Sequence, residues 1–167
     1  MQNEKASDAR MKPVTDFVRR FGTNISLDQS LIVKKANRYF LLNEQLRSLT
    51  TDGFFYAGTY LGKVRGRVFF PSFSLLAMIA EKKEANSVVV TDKAEWLFIC
   101  GRDIFWRGIK KVMGTREKGE LTLVLSSYGD CLGFGKIASD LEASPGGQKV
   151  AVKNISDIGD FLRRERH

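Results

Sequence analysis

The chain is poor in the residues that most catalysis and cross-linking need: one histidine, two cysteines and three prolines among 167 residues. A single histidine, His167, removes most imidazole catalysis and the zinc sites built on histidine. Cys100 and Cys131 have no CxxC partner and form no disulfide framework. They read as two small buried apolar side chains in a reducing compartment. Carboxylates are scattered, and no pair stands out as general acid and base. Three prolines and 15 glycines exclude collagenous and low-complexity classes. No segment approaches the roughly 18 consecutive apolar residues of a membrane span. Residues 1–10 (MQNEKASDAR) lack the apolar stretch of a signal peptide and read as a disordered lead-in, with Met11 a second start.

What the chain does have is an ordinary globular content, 43% hydrophobic and 28% charged, with a formal charge of +8 and a pI near 9.6. Such a surplus favours a polyanionic partner, nucleic acid or an acidic membrane. The first 86 residues carry 14 Lys and Arg against 8 acids, and the remainder 13 against 11. By bulk charge the first half is the better nucleic-acid binder; clustering argues for the second.

The patterning predicts two parts. Phe17, Val18 and Phe21 suit a short helix over 16–21, ending at Gly22. Leu31–Val33 and Tyr39–Leu42 form one hairpin, and Phe54–Val64 and Arg67–Phe70, joined through Arg65-Gly66, form another. Helical turns are expected over Glu44–Leu49, ended by Asp52-Gly53, and a helix over Ser74–Lys83. The charged run Glu81–Asn86 is the expected domain boundary. Beyond it come a strand at Ser87–Val90, a helix over Ala94–Ile99 capped by Asp92, and short strands at 104–106, 121–125, 131–138 and 150–152. Ser156 or Asp157 then caps a last helix over 158–164. Short, closely spaced strands point to a small barrel or sandwich.

Two phosphate-binding motifs are matched only formally. Gly133–Ala138 fits G-x-G-x-x-A, but Pro145-Gly146-Gly147 follows where the fingerprint needs a long helix. Glycines in a tightly bent strand explain it better. Gly58–Val64 imitates a P-loop, one residue short and with Val64 where a hydroxyl should reach magnesium. The informative residues are basic: Arg107, Lys110 and Lys111 in one group, Lys149 and Lys153 in another. Placed four apart on one strand, Lys149 and Lys153 share a face and form a phosphate rail, with Val150 and Val152 opposite. Arg163, Arg164 and Arg166 sit near a helix C-terminus, where the dipole also favours them.

From Ser87 onward the chain resembles a PUA domain, a small RNA-binding barrel. The carrying residues are Val88-Val89-Val90-Thr91-Asp92, Ala94–Leu97, the loop Gly101–Ile109 with its spaced glycines, and Leu132-Gly133-Phe134-Gly135-Lys136. With Met11-Lys12-Pro13, Gly58–Lys63 and the closing Ser156–Arg163, the whole chain resembles an archaeal-type member of the nuclear-import-protein-seven family of large-subunit ribosome biogenesis factors.

That resemblance implies an α+β protein: a tail over 1–10, an α/β pre-PUA domain over 11–86 with a mainly antiparallel sheet and flanking helices, and a PUA β-barrel over 87–167. It implies a non-enzymatic, cofactor-free and metal-free factor in pre-rRNA processing and large-subunit assembly, preferring uridine-rich single-stranded RNA. Its partners would be pre-rRNA and ribosome-assembly or RNA-processing proteins such as exosome components. It would be a monomer without membrane association, in the cytoplasm, or in the nucleolus of a eukaryote. The RNA-binding residues are expected to be Lys149, Lys153, Arg107, Lys110, Lys111 and Arg163; the family's arginine before the last strand is missing from Pro145–Gln148. Two other readings are an RNA-modifying enzyme with a C-terminal PUA module, and a protein scaffold whose basic surface is incidental.

Overall fold

A computed structural model describes the backbone of residues 2–49, 56–142 and 148–164, and the side chains of these except 2–10, 161, 163 and 164. By its internal packing the chain divides into two compact units, Met1–Arg19 with Asn24–Leu75, and Arg20–Thr23 with Leu76–His167.

The first unit opens with helix α1 (Gln2–Arg19). The sequence predicts a tail and a helix over 16–21; instead the helix begins at Gln2, runs through Pro13 and ends before Phe21. Its buried side chains Met11, Val14 and Val18 follow the i, i+3, i+7 spacing of one helical face, a pattern absent from the polar first ten residues. Asp28 caps a short 3₁₀ turn, Gln29–Leu31, its Oδ1 accepting the Ser30 N–H at 2.8 Å. Strands β1 (Ile32–Lys35), β2 (Arg38–Leu41), β3 (Thr59–Arg65) and β4 (Val68–Pro71) form one antiparallel sheet in that order. Helix α2 (Glu44–Leu49) starts from Asn43, whose Oδ1 accepts the Leu46 N–H at 2.7 Å. Both predicted hairpins are present. The part of the second assigned to Phe54 and Phe55, and the stop at Asp52-Gly53, lie outside the described residues. One face of this sheet is aromatic: Phe69 packs on Phe17 at 5.4 Å and edge-on to Tyr39 at 6.0 Å. Gly62 makes this possible. At φ +145° it lies under the Phe69 ring, where an added Cβ would strike the ring and the Phe70 carbonyl.

Helix α3 (Phe73–Ala80) is shorter than expected. Its cap is Ser72, whose Oγ accepts the Leu75 N–H at 3.1 Å. The division between the units falls inside it, between Leu75 and Leu76, rather than in the run 81–86. That run is no solvated linker. Ala85 and Asn86 are buried; Asn86 donates its N–H to Phe21 O, and its Oδ1 accepts the Thr115 N–H. The four residues 20–23 belong with the second unit for the same reason. Phe21 is fully buried, edge-on to Phe134 at 5.9 Å, and Thr23 Oγ1 donates to Glu84 at 2.7 Å, a bond that lowers the Glu84 pKa.

The second unit holds β5 (Ser87–Val90), α4 (Asp92–Ile99), β6 (Ile104–Phe105), a 3₁₀ turn at Trp106–Gly108, β7 (Ile109–Met113), β8 (Leu121–Leu125), β9 (Cys131–Ile137), β10 (Val150–Asp157) and α5 (Ile158–Arg164). Its six strands run β6-β10-β9-β8-β5-β7 and curl into a half-barrel, antiparallel except for β5 against β8. Val88, Val90, Phe98, Ile104, Val124, Ile137 and Val152 are among the buried residues of its core. Thr91, not Asp92, caps α4, its Oγ1 accepting the Ala94 N–H at 3.3 Å. Asp157 caps α5 as expected, accepting the Asp160 N–H at 2.8 Å. The G-x-G-x-x-A segment is strand β9, and the P-loop look-alike is strand β3. Gly133 and Gly135 lie so close to β10 that an added Cβ would meet the carbonyls of Ser156 and Lys153.

Candidate nucleic-acid interface

Five of the six expected basic residues have described side chains, and all five are exposed: Arg107, Lys110, Lys111, Lys149 and Lys153. Arg163 stands on α5, and its side chain lies outside the described residues, as do Pro145–Gly147. Lys149 and Lys153 do not form the straight rail that strand alternation predicts. Lys149 precedes β10, and the pairing of β10 with β6 shifts register between Val150 and Val152. Ala151 and Val152 are consecutive and both buried, so the period-two rule fails between the two lysines. A bulge has this effect on any strand.

Lys149 instead meets the other group. The Trp106 N–H donates to its carbonyl at 3.1 Å, which sets Lys149 beside the turn that carries Arg107. Phe105, paired with Val150 and 37% exposed, lies on the same edge. Gly108 lets this turn sit tightly on α4, because a Cβ there would be 2.7 Å from the Ala94 Cβ. In β7 a register shift between Val89 and Val90 leaves Lys110 without a cross-strand residue. Two consecutive lysines therefore both face solvent, where a regular strand would turn one inward.

Lys110 is tied back by Asp92. Its Nζ is 3.5 Å from Asp92 Oδ1, which also accepts the Ser127 hydroxyl at 3.1 Å. The Ser127 bond, and then the Lys110 charge, lower the Asp92 pKa. This contact fixes the β8–β9 turn, whose tip is Tyr128, 91% exposed. Ser126 Oγ accepts the N–H groups of Tyr128 and Asp130 at 3.1 Å each, so the ring is displayed from a pinned turn. Patterning passes over Tyr128, since a tyrosine between Ser127 and Gly129 looks like any turn.

Lys153 has a partner that sequence reasoning also misses. It stands directly opposite Lys136 of β9, and both are exposed. Like charges facing each other across two strands are unfavourable by several tenths of a kcal/mol. An anion between them would reverse the sign, which makes this exposed pair a candidate anion contact. Lys136 lies inside the G-x-G-x-x-A motif, but only the register reveals what it faces.

The cysteine expectation needs correction. Cys100 is exposed at the C-terminus of α4 and Cys131 is half-buried. Cys100 ends a helix stopped by Gly101, so it lies past the buried face that Ala94 and Phe98 define. Burial pushes the Cys131 thiol up to about 11, against a weak hydrogen bond to Gly133 O. Among the described residues no three His, Cys, Asp or Glu side chains gather as a metal site.

Comparison with known proteins fits this geometry. The family model described as the UPF0113 PUA domain matches residues 86–166. A UPF0113 protein of Archaeoglobus fulgidus is 30% identical over 113 residues, which take in 66% of this chain and 63% of that relative's length. A conserved PUA domain protein from Thermoplasma acidophilum has the same fold over 95% of each chain, with a TM-score of 0.62 at 22% identity. A hypothetical protein from Pyrococcus horikoshii matches over 81% of this chain and 78% of its own, with a TM-score of 0.51 at 19% identity. The second unit thus has the PUA fold and is similar to the UPF0113 PUA domain, and the chain as a whole is built like the Thermoplasma acidophilum protein.

Proposed function

We propose that the chain is an RNA-binding factor of large ribosomal subunit biogenesis, resembling the nuclear-import-protein-seven family, in which the second unit holds uridine-rich single-stranded RNA. The observation that carries this reading is the Lys136–Lys153 pair, two exposed cations held face to face on a PUA-type sheet. Phosphates bridge that pair and reach Arg107, Lys149 and Lys111, while bases stack on Tyr128 and Phe105. Charged grooves with exposed aromatic rings are the usual means of holding single strands. The RNA is pre-rRNA, held without chemistry or cofactor during processing and assembly in the cytoplasm, or in the nucleolus of a eukaryote. The chain acts as a monomer. The first unit docks ribosome-assembly or RNA-processing proteins, exosome components among them, through exposed apolar side chains such as Leu49, Tyr56 and Val68. Titration with a uridine-rich oligonucleotide and with its duplex tests the reading. Tighter, salt-sensitive binding of the single strand is expected; preference for the duplex contradicts it.

A further inference from the structure

Trp96 of α4 is 65% exposed, although tryptophan is on average a highly buried residue. It stands on the opposite side of the helix from Ala94 and Phe98, the buried face. Four residues separate Asp92 from Trp96, so the two side chains lie one above the other on the outer face, with Cβ atoms roughly 5–6 Å apart. The Asp92 Oδ1 accepts the Ser127 hydroxyl at 3.1 Å and lies 3.5 Å from Lys110 Nζ. Tyr128, the residue after Ser127, is 91% exposed and sits on a turn fixed by Ser126. One carboxylate thus ties the helix that carries one exposed ring to the turn that carries another. Among the unit's described residues these are the two most exposed aromatic rings.

Neither ring meets another ring among the described residues. The link between them is polar: the Asp92 carboxylate, the Ser127 hydroxyl and the Lys110 ammonium. Leu97, 38% exposed, lies roughly 100° further round the helix, on the side away from Asp92. Two rings parted by a polar seam suit a protein partner poorly, because the centre of a protein interface is apolar and depleted of charge. They suit nucleobases, which have flat faces for stacking and polar edges. Charge adds little here. Together α4 and β7 carry Lys93, Lys110 and Lys111 against Asp92 and Glu95, and Asp92 holds Lys110.

We propose that Trp96 and Tyr128 are paired platforms for two bases of one RNA strand, joined through Asp92. The inference rests on the RNA reading of the second unit and adds to it a part that holds bases without neutralising phosphates. Asp92 is the positioning residue, keeping the turn of Tyr128 against the helix of Trp96. Phosphates are left to Lys136 and Lys153. Affinity then divides into a salt-dependent share from the lysines and a salt-independent share from the rings.

The test uses the full chain with a uridine-rich single strand and with an abasic strand of the same length, which keeps the phosphates and lacks the bases. Bound RNA should shield Trp96 from acrylamide quenching of its fluorescence, and the abasic strand should not. The quenchable signal belongs to Trp96, because Trp106 is packed against the core of the unit. Trp96→Ala should weaken RNA binding about tenfold, with the salt slope, the melting temperature and binding of the abasic strand unchanged. Trp96→Phe, which keeps a ring, should retain most of the affinity. Asp92→Ala should narrow the preference for RNA over the abasic strand, which loss of a surface ion pair alone does not do. Salt-sensitive RNA binding with Trp96 still open to acrylamide, or with Trp96→Ala equal to the parent, overturns this inference alone and leaves the ring to a protein partner. Failure to bind the uridine-rich strand at all overturns the reading on which it rests.

Discussion

The two sheets present positive charge in different ways. In the first unit Lys35, Arg38 and Lys63 are aligned across β1, β2 and β3, beside a register shift between Tyr39 and Phe40 that does not interrupt the row. In the second unit they come from irregularities: a register shift that turns Lys110 outward, another between Lys149 and Lys153, and a 3₁₀ turn that carries Arg107. Acids are interleaved there, and Asp92 holds Lys110 and Ser127 together. The lesson is that net charge and site architecture separate. The more basic unit aligns its cations across a sheet, whereas in the less basic one they share the surface with acids and with an exposed tyrosine on a pinned turn. On a nucleic acid, cations alone would contact the backbone, and fixed rings would add discrimination among bases.

The sharpest way to break this comparison is to disable one sheet. Gly133→Val sets a side chain against the Ser156 carbonyl at a backbone φ of +143°. It should cost more than about 3 kcal/mol and abolish selective RNA binding, as read by chemical denaturation and titration. Phe21→Ala should cost about 3–5 kcal/mol, because Phe21 is fully buried against Phe134. For the same reason a fragment starting at Ser87, which lacks Phe21, should melt well below the intact chain. A fragment as stable as the whole would show that residues 20–23 contribute nothing to the second unit.

Smaller effects sharpen the picture. Tyr128→Ala should weaken single-strand binding about tenfold and leave the melting temperature unchanged, since the ring is 91% exposed. At neutral pH a thiol alkylating reagent should label the exposed Cys100 well before Cys131, whose thiol titrates near 11. Equal labelling would contradict the burial of Cys131. The smallest effect is on acid stability. Glu84 is lowered from 4.5 by its bond from Thr23. A depressed carboxyl stabilises the fold above its unfolded pKa and loses that contribution as pH falls through the folded value. Thr23→Ala should therefore flatten the loss of stability below about pH 4.5, measured by denaturation across that range.

Much of this is legible in the sequence. The two hairpins of the first sheet, α4, β8 and β9 follow from apolar patterning and turn residues, and the glycines of β9 read correctly as a bent strand. Strand β7 escapes the patterning because Lys110-Lys111 breaks alternation, and only its pairing with β5 exposes the shift that permits this. Phe21 looks like the end of a helix; its partner Phe134 lies over 100 residues away, beyond any local signal. The candidate site is half legible. Clustering and four-residue spacing on an expected strand single out Lys149 and Lys153, and both are exposed. The pairing of Lys153 with Lys136 and the pinning of Tyr128 by Ser126 depend on register and turn geometry, which one-dimensional patterning does not contain.

The most direct test of the central claim is the affinity of the intact chain for uridine-rich single-stranded RNA, measured across salt concentrations with Lys136→Glu/Lys153→Glu alongside. The account predicts a linear fall of log affinity with log salt, and a slope smaller by about 1.4 in the variant, with at least tenfold weaker binding and an unchanged melting temperature. An affinity indifferent to salt, or a variant that binds as the parent does, would contradict it.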